Sequence, residues 1–262
     1  MGQSLTGKVA VITGASSGIG WALAKALAAE GCAVGLIARR EKLLKSLAAE
    51  IAAAGGKTAY AVGDTGNRES LGAAIAAIRT ALGPIDLAIA NAGVGKATRL
   101  DPVNVADVEN MFRVNVLGVV NTFAAVMPEM LARRTGQLVA ISSLAGYRGL
   151  PGESAYCASK AAVNTYMDGL RIHLRGTGVS ATTICPGFVI TPMTADFKFH
   201  MPGLMTAERA ASKIVRAIKA RKKVANFPRR LHLLTVLSRW VPDSWVNWMM
   251  GDYNEDVKKQ LV

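Results

Sequence analysis

Tyr156 and Lys160 stand four residues apart in the stretch SAYCASKAAV, residues 154–163. On a helix that spacing puts both side chains on one face. A phenol with a reference pKa of about 10 is a poor proton carrier at neutral pH. A neighbouring ammonium favours the phenolate and lowers that pKa. The pair could then protonate a carbonyl oxygen as its carbon is reduced, and take the proton back in the reverse direction. Ser143 lies thirteen residues before Tyr156, after an apolar run, where its hydroxyl could bind the same oxygen. Asn115, in MFRVNVLGVVNTF, adds a fourth polar side chain. A Tyr-x3-Lys pair is frequent in any helix, so its weight depends on the elements around it.

A second constellation points to a phosphate-bearing ligand. TGASSGIG, residues 13–20, spaces Gly14, Gly18 and Gly20 as G-x3-G-x-G between an apolar run and a helical one. A turn that brings backbone close to a pyrophosphate leaves no room for Cβ atoms, and the helix behind it offers unpaired N–H groups. Thr13, Ser16, Ser17 and Ile19 belong to the same turn. An acid about 20 residues later would bind a free ribose 2′-OH. The window instead reads Ala38, Arg39, Arg40. A guanidinium pairs with a 2′-phosphate that an acid would repel. NADP(H) is therefore favoured over NAD(H), with Arg39 as the first candidate clamp because it comes first after the strand, and Arg40 as the second.

The elements that must position these residues alternate along the chain. Strands are expected at 8–13, 33–39, 57–63, 85–93, 136–143, 179–187 and 222–228. Helices are expected at 20–31, 41–56, 67–83, across much of 104–131, at 154–178 and at 208–220. Strands that are apolar throughout and alternate with helices signal a parallel sheet covered on both faces. Right-handed crossovers make it a doubly wound, Rossmann-like α/β fold in a single domain. Ligands of such sheets sit at the carboxyl ends of the strands, where Gly14, Asn91, Ser143 and Pro186 all fall. Residues 1–228 form the nucleotide-binding and catalytic domain, and 229–262 a C-terminal helical extension.

Composition sets outer bounds. The chain of 262 residues is 51% hydrophobic, which suits one buried core rather than disorder. Cys32, Cys157 and Cys185 are scattered, without CxxC spacing. That argues against a disulfide framework or zinc site and for a reducing, cytoplasmic setting. No His/Cys/Asp cluster suggests a metal. The net charge is +13, and residues 198–239 hold eleven Lys/Arg against one acid, Glu208.

Taken together, the motifs resemble the short-chain dehydrogenase/reductase family, in its single-domain branch. The carriers are Thr13-Gly14-x3-Gly18-x-Gly20, Asp64, Asn91-Ala92-Gly93, Asn115, Ser143, Tyr156-x3-Lys160, and Pro186-Gly187 with Thr191. The resemblance implies a ketone–alcohol oxidoreductase. Tyr156 would be its general acid/base, and Lys160 would tune that phenol and hold the nicotinamide ribose. Ser143 would polarise the carbonyl, and Asn115 would hold a relay water. By the same analogy Asp64 and Thr65 would meet the adenine. Asn91, Ala92 and Gly93 would line the adenosine side, and the Val189 backbone with Thr191 would take the nicotinamide amide. Relatives often form dimers or tetramers. A nucleotide-binding scaffold without turnover is the alternative, opposed by the joint presence of Asn115, Ser143, Tyr156 and Lys160.

After the sixth strand the sequence is rich in Met and Phe, namely Met193, Phe197, Phe199, Met201, Leu204 and Met205. With Phe188 these could form a pocket for a lipophilic carbonyl or alcohol substrate, or simply pack a lid onto the core. Phe188, Met193 and Phe197 are the candidates for substrate contact, beside Ser143 and Tyr156. The tail from Arg229 combines arginines, leucines and Trp240, Trp245 and Trp248. It is too apolar for nucleic acid. It suits a protein interface, a cover over the pocket, or peripheral membrane contact. No run of 18 apolar residues could span a bilayer.

Overall fold

The computed structural model describes residues 2–195 and 201–245. Seven parallel strands form one sheet in the order β3-β2-β1-β4-β5-β6-β7. They are β1 Val9–Thr13, β2 Ala33–Ala38, β3 Thr58–Val62, β4 Leu87–Ala90, β5 Gly136–Ile141, β6 Val179–Pro186 and β7 Val224–Phe227. The order reverses between β1 and β4, so the carboxyl ends of these two strands flank the crevice expected of a doubly wound sheet.

Every residue of β1, β2, β4 and β5 is buried. Alternation along each strand feeds two cores. Ala10 and Ile12 of β1 point to one face, where α1 (Gly18–Ala29), α2 (Glu41–Ala53) and α8 (Ala207–Lys219) supply Leu23, Leu27, Leu44, Leu47, Ile214 and Ile218. Val9 and Val11 point to the other. There α3 (Arg68–Leu82), α5 (Gly118–Ala124) and α7 (Ser154–His173) bring Leu71, Ile75, Val119, Phe123, Val163 and Met167. Two-sided burial explains why the strands read as continuous apolar runs.

The single helix expected over 104–131 is divided. It runs as α4 (Val105–Phe112), a π-helical turn (Arg113–Leu117), α5, and α6 (Met127–Ala132). Asn115 sits fully buried within the π turn and bonds sideways to another segment, which accounts for the widened ladder there. Pro128 falls in the first turn of α6, where its missing N–H costs nothing but the preceding helix cannot continue. Beyond β7, α9 (Arg229–Leu237) and a 3-10 turn (Ser238–Trp240) fold back over the loops that follow β5 and β6.

Phe123 is the largest wholly enclosed side chain among the described residues and fills the space between α5 and the sheet. Phe123→Ala should cost about 3–5 kcal/mol. Urea unfolding should show the loss as a lower midpoint at an unchanged m-value.

Candidate active site

The glycine turn after β1 is built by close approach. A Cβ on Gly14 would fall 2.7 Å from Ala92 Cα, and one on Gly20 would fall 2.4 Å from Gly14 O and 2.5 Å from Asn91 Nδ2. Gly14 and Gly18 also have φ of 69° and 56°, which side chains rarely adopt. Gly18 faces Thr191, whose Cγ2 would be 3.0 Å from an added Cβ, so the loop after β6 returns to the glycine turn.

Thr13 and Asn91 clasp the ends of β1 and β4. The Thr13 hydroxyl accepts from the N–H of Asn91 at 3.1 Å and of Ala92 at 3.3 Å, and donates to Ile89 O at 3.4 Å. Asn91 Nδ2 donates to Thr13 O at 3.0 Å and Gly14 O at 3.2 Å. The Asn91 amide therefore shapes the turn. At the start of α1, Ser17 makes no side-chain cap bond and the first turn carries no acid, which leaves N–H groups directed at the turn. Arg40 closes the other side: its guanidinium donates to Ser16 Oγ at 2.8 and 3.1 Å and to Ser17 Oγ at 2.8 Å. Arg39 beside it is exposed. The nearest acid, Glu41, pairs with Lys45 at 2.9 Å. A cradle with no space for Cβ atoms, free helix N–H groups and a guanidinium fits the pyrophosphate of a dinucleotide.

Asp64 and Thr65 follow β3. Asp64 Oδ1 accepts from Gly66 N at 2.9 Å, and its other oxygen lies 3.7 Å from Arg113 Nη1. Thr65 is buried against Gly118, and its carbonyl accepts from Asn121 Nδ2 at 2.9 Å. Its hydroxyl packs on α5.

The catalytic candidates converge at the ends of β4 and β5. Ser143 lies near enough to the Tyr156 phenol to act on its pKa, and its Oγ accepts from Ala145 N at 3.1 Å and donates to Pro186 O at 3.5 Å. Lys160 Nζ lies 5.7 Å from the centre of the Tyr156 ring and donates to Ile141 O at 3.1 Å. It also borders Gly93, whose Cβ would be 3.5 Å away. Asn115 Oδ1 accepts from Val94 N at 2.8 Å, and its Nδ2 donates to Val94 O at 2.9 Å and Ser159 Oγ at 3.0 Å. Ser159 Oγ in turn donates to the backbone carbonyl of Tyr156 at 2.7 Å. Asn115 thus ties the loop after β4 to the helix that carries Tyr156 and Lys160.

The electrostatics differ from the sequence expectation. Burial raises the Tyr156 pKa well above the usual phenol range, with the Ser143 hydrogen bond acting against it and Glu153 adding to it. Burial also lowers Lys160 to about 8. Desolvation penalises the charged form of both groups and outweighs the attraction the spacing implied. Glu153, three residues before Tyr156, is pushed up to about 7 by burial. Sequence reading missed it: an acid just ahead of a helix reads as an ordinary solvated cap. Ser159 was missed because a serine between Tyr156 and Lys160 carries no signal until its partner Asn115 is in place.

A Cβ on Gly95 would lie 3.6 Å from both Met193 Sδ and Tyr156 Cδ2, so Gly95 adjoins both the Met193 side chain and the Tyr156 ring. Met205 is instead buried in the core, and Leu204 is largely exposed. Val189 is buried and its carbonyl accepts from Thr194 Oγ1 at 2.8 Å, while Phe188 O accepts from Met205 N at 3.2 Å. Phe197, Phe199, His200 and Trp248 lie outside the described residues. Cys157 is buried, and burial pushes its thiol up to about 11, which suits packing rather than nucleophilic work. A cleft of about 810 Å³ is lined by the 145–151 loop, Cys157, Ala161, Arg239 and Asp243, and none of Asn115, Tyr156 or Lys160 lines it. No group of three or more His, Cys, Asp or Glu suited to a metal occurs among the described residues.

Comparison with known proteins agrees with this geometry. The short chain dehydrogenase family model matches residues 8–201. An uncharacterized oxidoreductase of Myxococcus xanthus is 39% identical over 90% of this chain and 93% of its own length. The ketoacyl reductase HetN of Nostoc sp. is 36% identical over 82% of this chain and 77% of its own. Among solved structures, a short chain dehydrogenase/reductase from Burkholderia phymatum in complex with NAD superposes with a TM-score of 0.84 at 28% identity, covering 90% of this chain and 94% of that one. An actinorhodin polyketide ketoreductase with NADPH gives 0.78 at 25% identity, covering 87% and 97%.

Thr13→Val keeps the shape of a side chain that is 1% exposed but removes the acceptor for two backbone N–H groups. The substitution should destabilise the protein by about 1–3 kcal/mol. It should also weaken dinucleotide binding, measured by titration calorimetry against the same variant's thermal midpoint.

Proposed function

The chain belongs to the short-chain dehydrogenase family, and from that premise we propose that it is an NADP(H)-dependent oxidoreductase interconverting a lipophilic ketone and its secondary alcohol. The observation that carries this reading is the convergence of Ser143, Tyr156 and Lys160 beside a glycine cradle, with Asn115 locking the helix that bears two of them. The cofactor, when bound, supplies the hydride to the carbonyl carbon. The protein does the rest. Ser143 donates to the carbonyl oxygen and orients it. Tyr156, protonated throughout the neutral range because burial raises its pKa, delivers the proton. Lys160 is charged below about 8 and stabilises the phenolate left behind.

Thr13, Gly14, Ser16, Ser17, Gly18, Ile19 and Gly20 would cradle the pyrophosphate, with Asp64, Thr65, Ala92 and Gly93 along the adenosine side. Pro186, Gly187, Val189 and Thr191 would hold the nicotinamide end. The preference for NADP(H) is supported by the arginines after β2 and by the pairing of Glu41, the acid next in sequence to them, with Lys45. The geometry favours Arg40 over Arg39 as the 2′-phosphate ligand, since the Arg40 guanidinium already lies on the turn serines. Similarity to proteins named as ketoacyl and polyketide ketoreductases supports a ketone substrate. Met193, which shares Gly95 as a neighbour with Tyr156, supports an apolar one. A homodimer or homotetramer would cover the exposed Val105, Phe112, Leu117 and Ile172 on and beside α4 and α7, and light scattering in solution would give its mass.

NADPH oxidation across a panel of ketones tests the reaction. Tyr156→Phe should lower kcat at least about a hundredfold with cofactor affinity little changed. Cofactor binding without turnover on any carbonyl would instead favour a silent nucleotide-binding scaffold. Arg40→Asp should raise the Kd for NADPH at least about tenfold and leave NADH much less affected.

The pH dependence follows from Lys160. Its pKa is lowered to about 8, so its ammonium is present below that value and lost above it. The rate of ketone reduction should therefore fall as pH rises through about 8, read from kcat/KM profiles at saturating cofactor.

A further inference from the structure

Helix α9 turns Leu231, His232 and Thr235 inward and Leu233, Leu234 and Leu237 outward. On the inner side His232 Nε2 lies 2.9 Å from Asn226 Nδ2, and its ring is 4.9 Å from that of Tyr147. Thr235 Oγ1 donates to Leu231 O at 2.8 Å, and Leu231 packs on Gly187, 3.0 Å from where a Cβ would be. On the outer side Leu233, Leu234 and Leu237 are 58%, 64% and 52% exposed. Trp240 continues that side at 87%, and Trp245 follows at 66%. A surface helix of a globular protein ordinarily keeps such a leucine stripe against the core and leaves polar residues outside. No residue of α9 is buried.

The charge around this face narrows the choice of partner. Residues 229–240 contain Arg229, Arg230 and Arg239 and no acid. All three arginines are exposed at the two ends of the apolar stripe. Nearby Asp243 is engaged by Arg148. A two-fold contact with a second copy would set this surface against itself, arginines against arginines, with no acid in the segment to answer them. An anionic bilayer supplies what is missing: hydrocarbon for the leucines, a headgroup boundary for the indoles, and negative charge for the guanidinium groups. No helix among the described residues is long and apolar enough to cross a membrane, so the segment would lie along the surface.

We propose that the outer face of α9, with Trp240 and Trp245, docks this protein onto anionic lipid. The contact does not depend on the reaction assigned above. It does set the loops after β5 and β6, which carry Ser143 and Gly187 and on which α9 rests, close to the bilayer. A lipophilic substrate could then reach the pocket without crossing bulk water.

The test is co-sedimentation of the full chain with vesicles of phosphatidylcholine alone or mixed with phosphatidylglycerol. Binding is expected only to the anionic vesicles and should weaken with added salt. The double variant Leu234→Ser, Leu237→Ser should lose at least about tenfold in partition coefficient while keeping its thermal midpoint and turnover. Arg229→Gln with Arg230→Gln should reduce binding with the leucines intact. Absence of vesicle binding overturns the proposal. So does binding that the leucine variant leaves intact, since general basic charge would then suffice. A larger oligomer that the leucine variant dissociates, without vesicle binding, assigns the face to a second copy. A lowered thermal midpoint without vesicle binding assigns it to another part of the same chain. Either result also overturns it.

Discussion

The seam between β1 and β4 governs this molecule. Here the strand order reverses, and the chain must leave β1 without any side chain to fill the crevice. Thr13 and Asn91 make that feasible. One hydroxyl accepts from two backbone N–H groups of the loop after β4, and one amide donates to two carbonyls of the turn after β1. These are buried or half-buried polar groups that would otherwise be orphaned where two parallel strands end. Satisfying them fixes the separation of the turns, and that separation is what excludes Cβ atoms at Gly14 and Gly20.

The catalytic side repeats the device with other residues. Asn115 is fully buried, and its amide serves the Val94 backbone and Ser159 at once. The cost is a π turn in an otherwise regular helix. The return is a rigid distance between the loop after β4 and the first turns of α7. Tyr156 and Lys160 need no further fixing, since α7 is packed on the sheet through Val163 and Met167. Burial also sets their protonation. With Lys160 buried and Tyr156 half-buried, the phenol stays protonated and the ammonium is weakened, which makes the resting site a proton donor.

The extension beyond β7 relates to this site through its inner face. Leu231 on Gly187 and His232 beside Tyr147 press on the two loops that carry the end of β6 and the residues after Ser143. A segment that reads as an appendage is therefore in contact with the walls of the active site, and its exposed leucines sit just outside them.

Much of the architecture was legible because two-sided burial writes itself plainly: β1, β2, β4 and β5 are buried at every position and apolar at nearly all, and the helices between them keep a 3.6-residue stripe. The glycine turn and the Tyr-x3-Lys pair were legible because each depends on local spacing. What the sequence could not reveal were relations across the chain. Thr13 and Asn91 are 78 positions apart, Asn115 and Ser159 are 44 apart, and nothing local marks either pair. The direction of the Tyr156 shift was misread for the same reason. Spacing along a helix gives the neighbour's charge, whereas the desolvation that outweighs it comes from the whole fold. Which guanidinium meets Ser16 and Ser17 was also a tertiary matter, since only the turn of the chain after β2 decides it. The sequence by itself thus determined the elements and the reactive groups, through periodicity and spacing. Tertiary structure alone decided which polar groups are buried together, because burial and partnership are properties of segments distant in the chain.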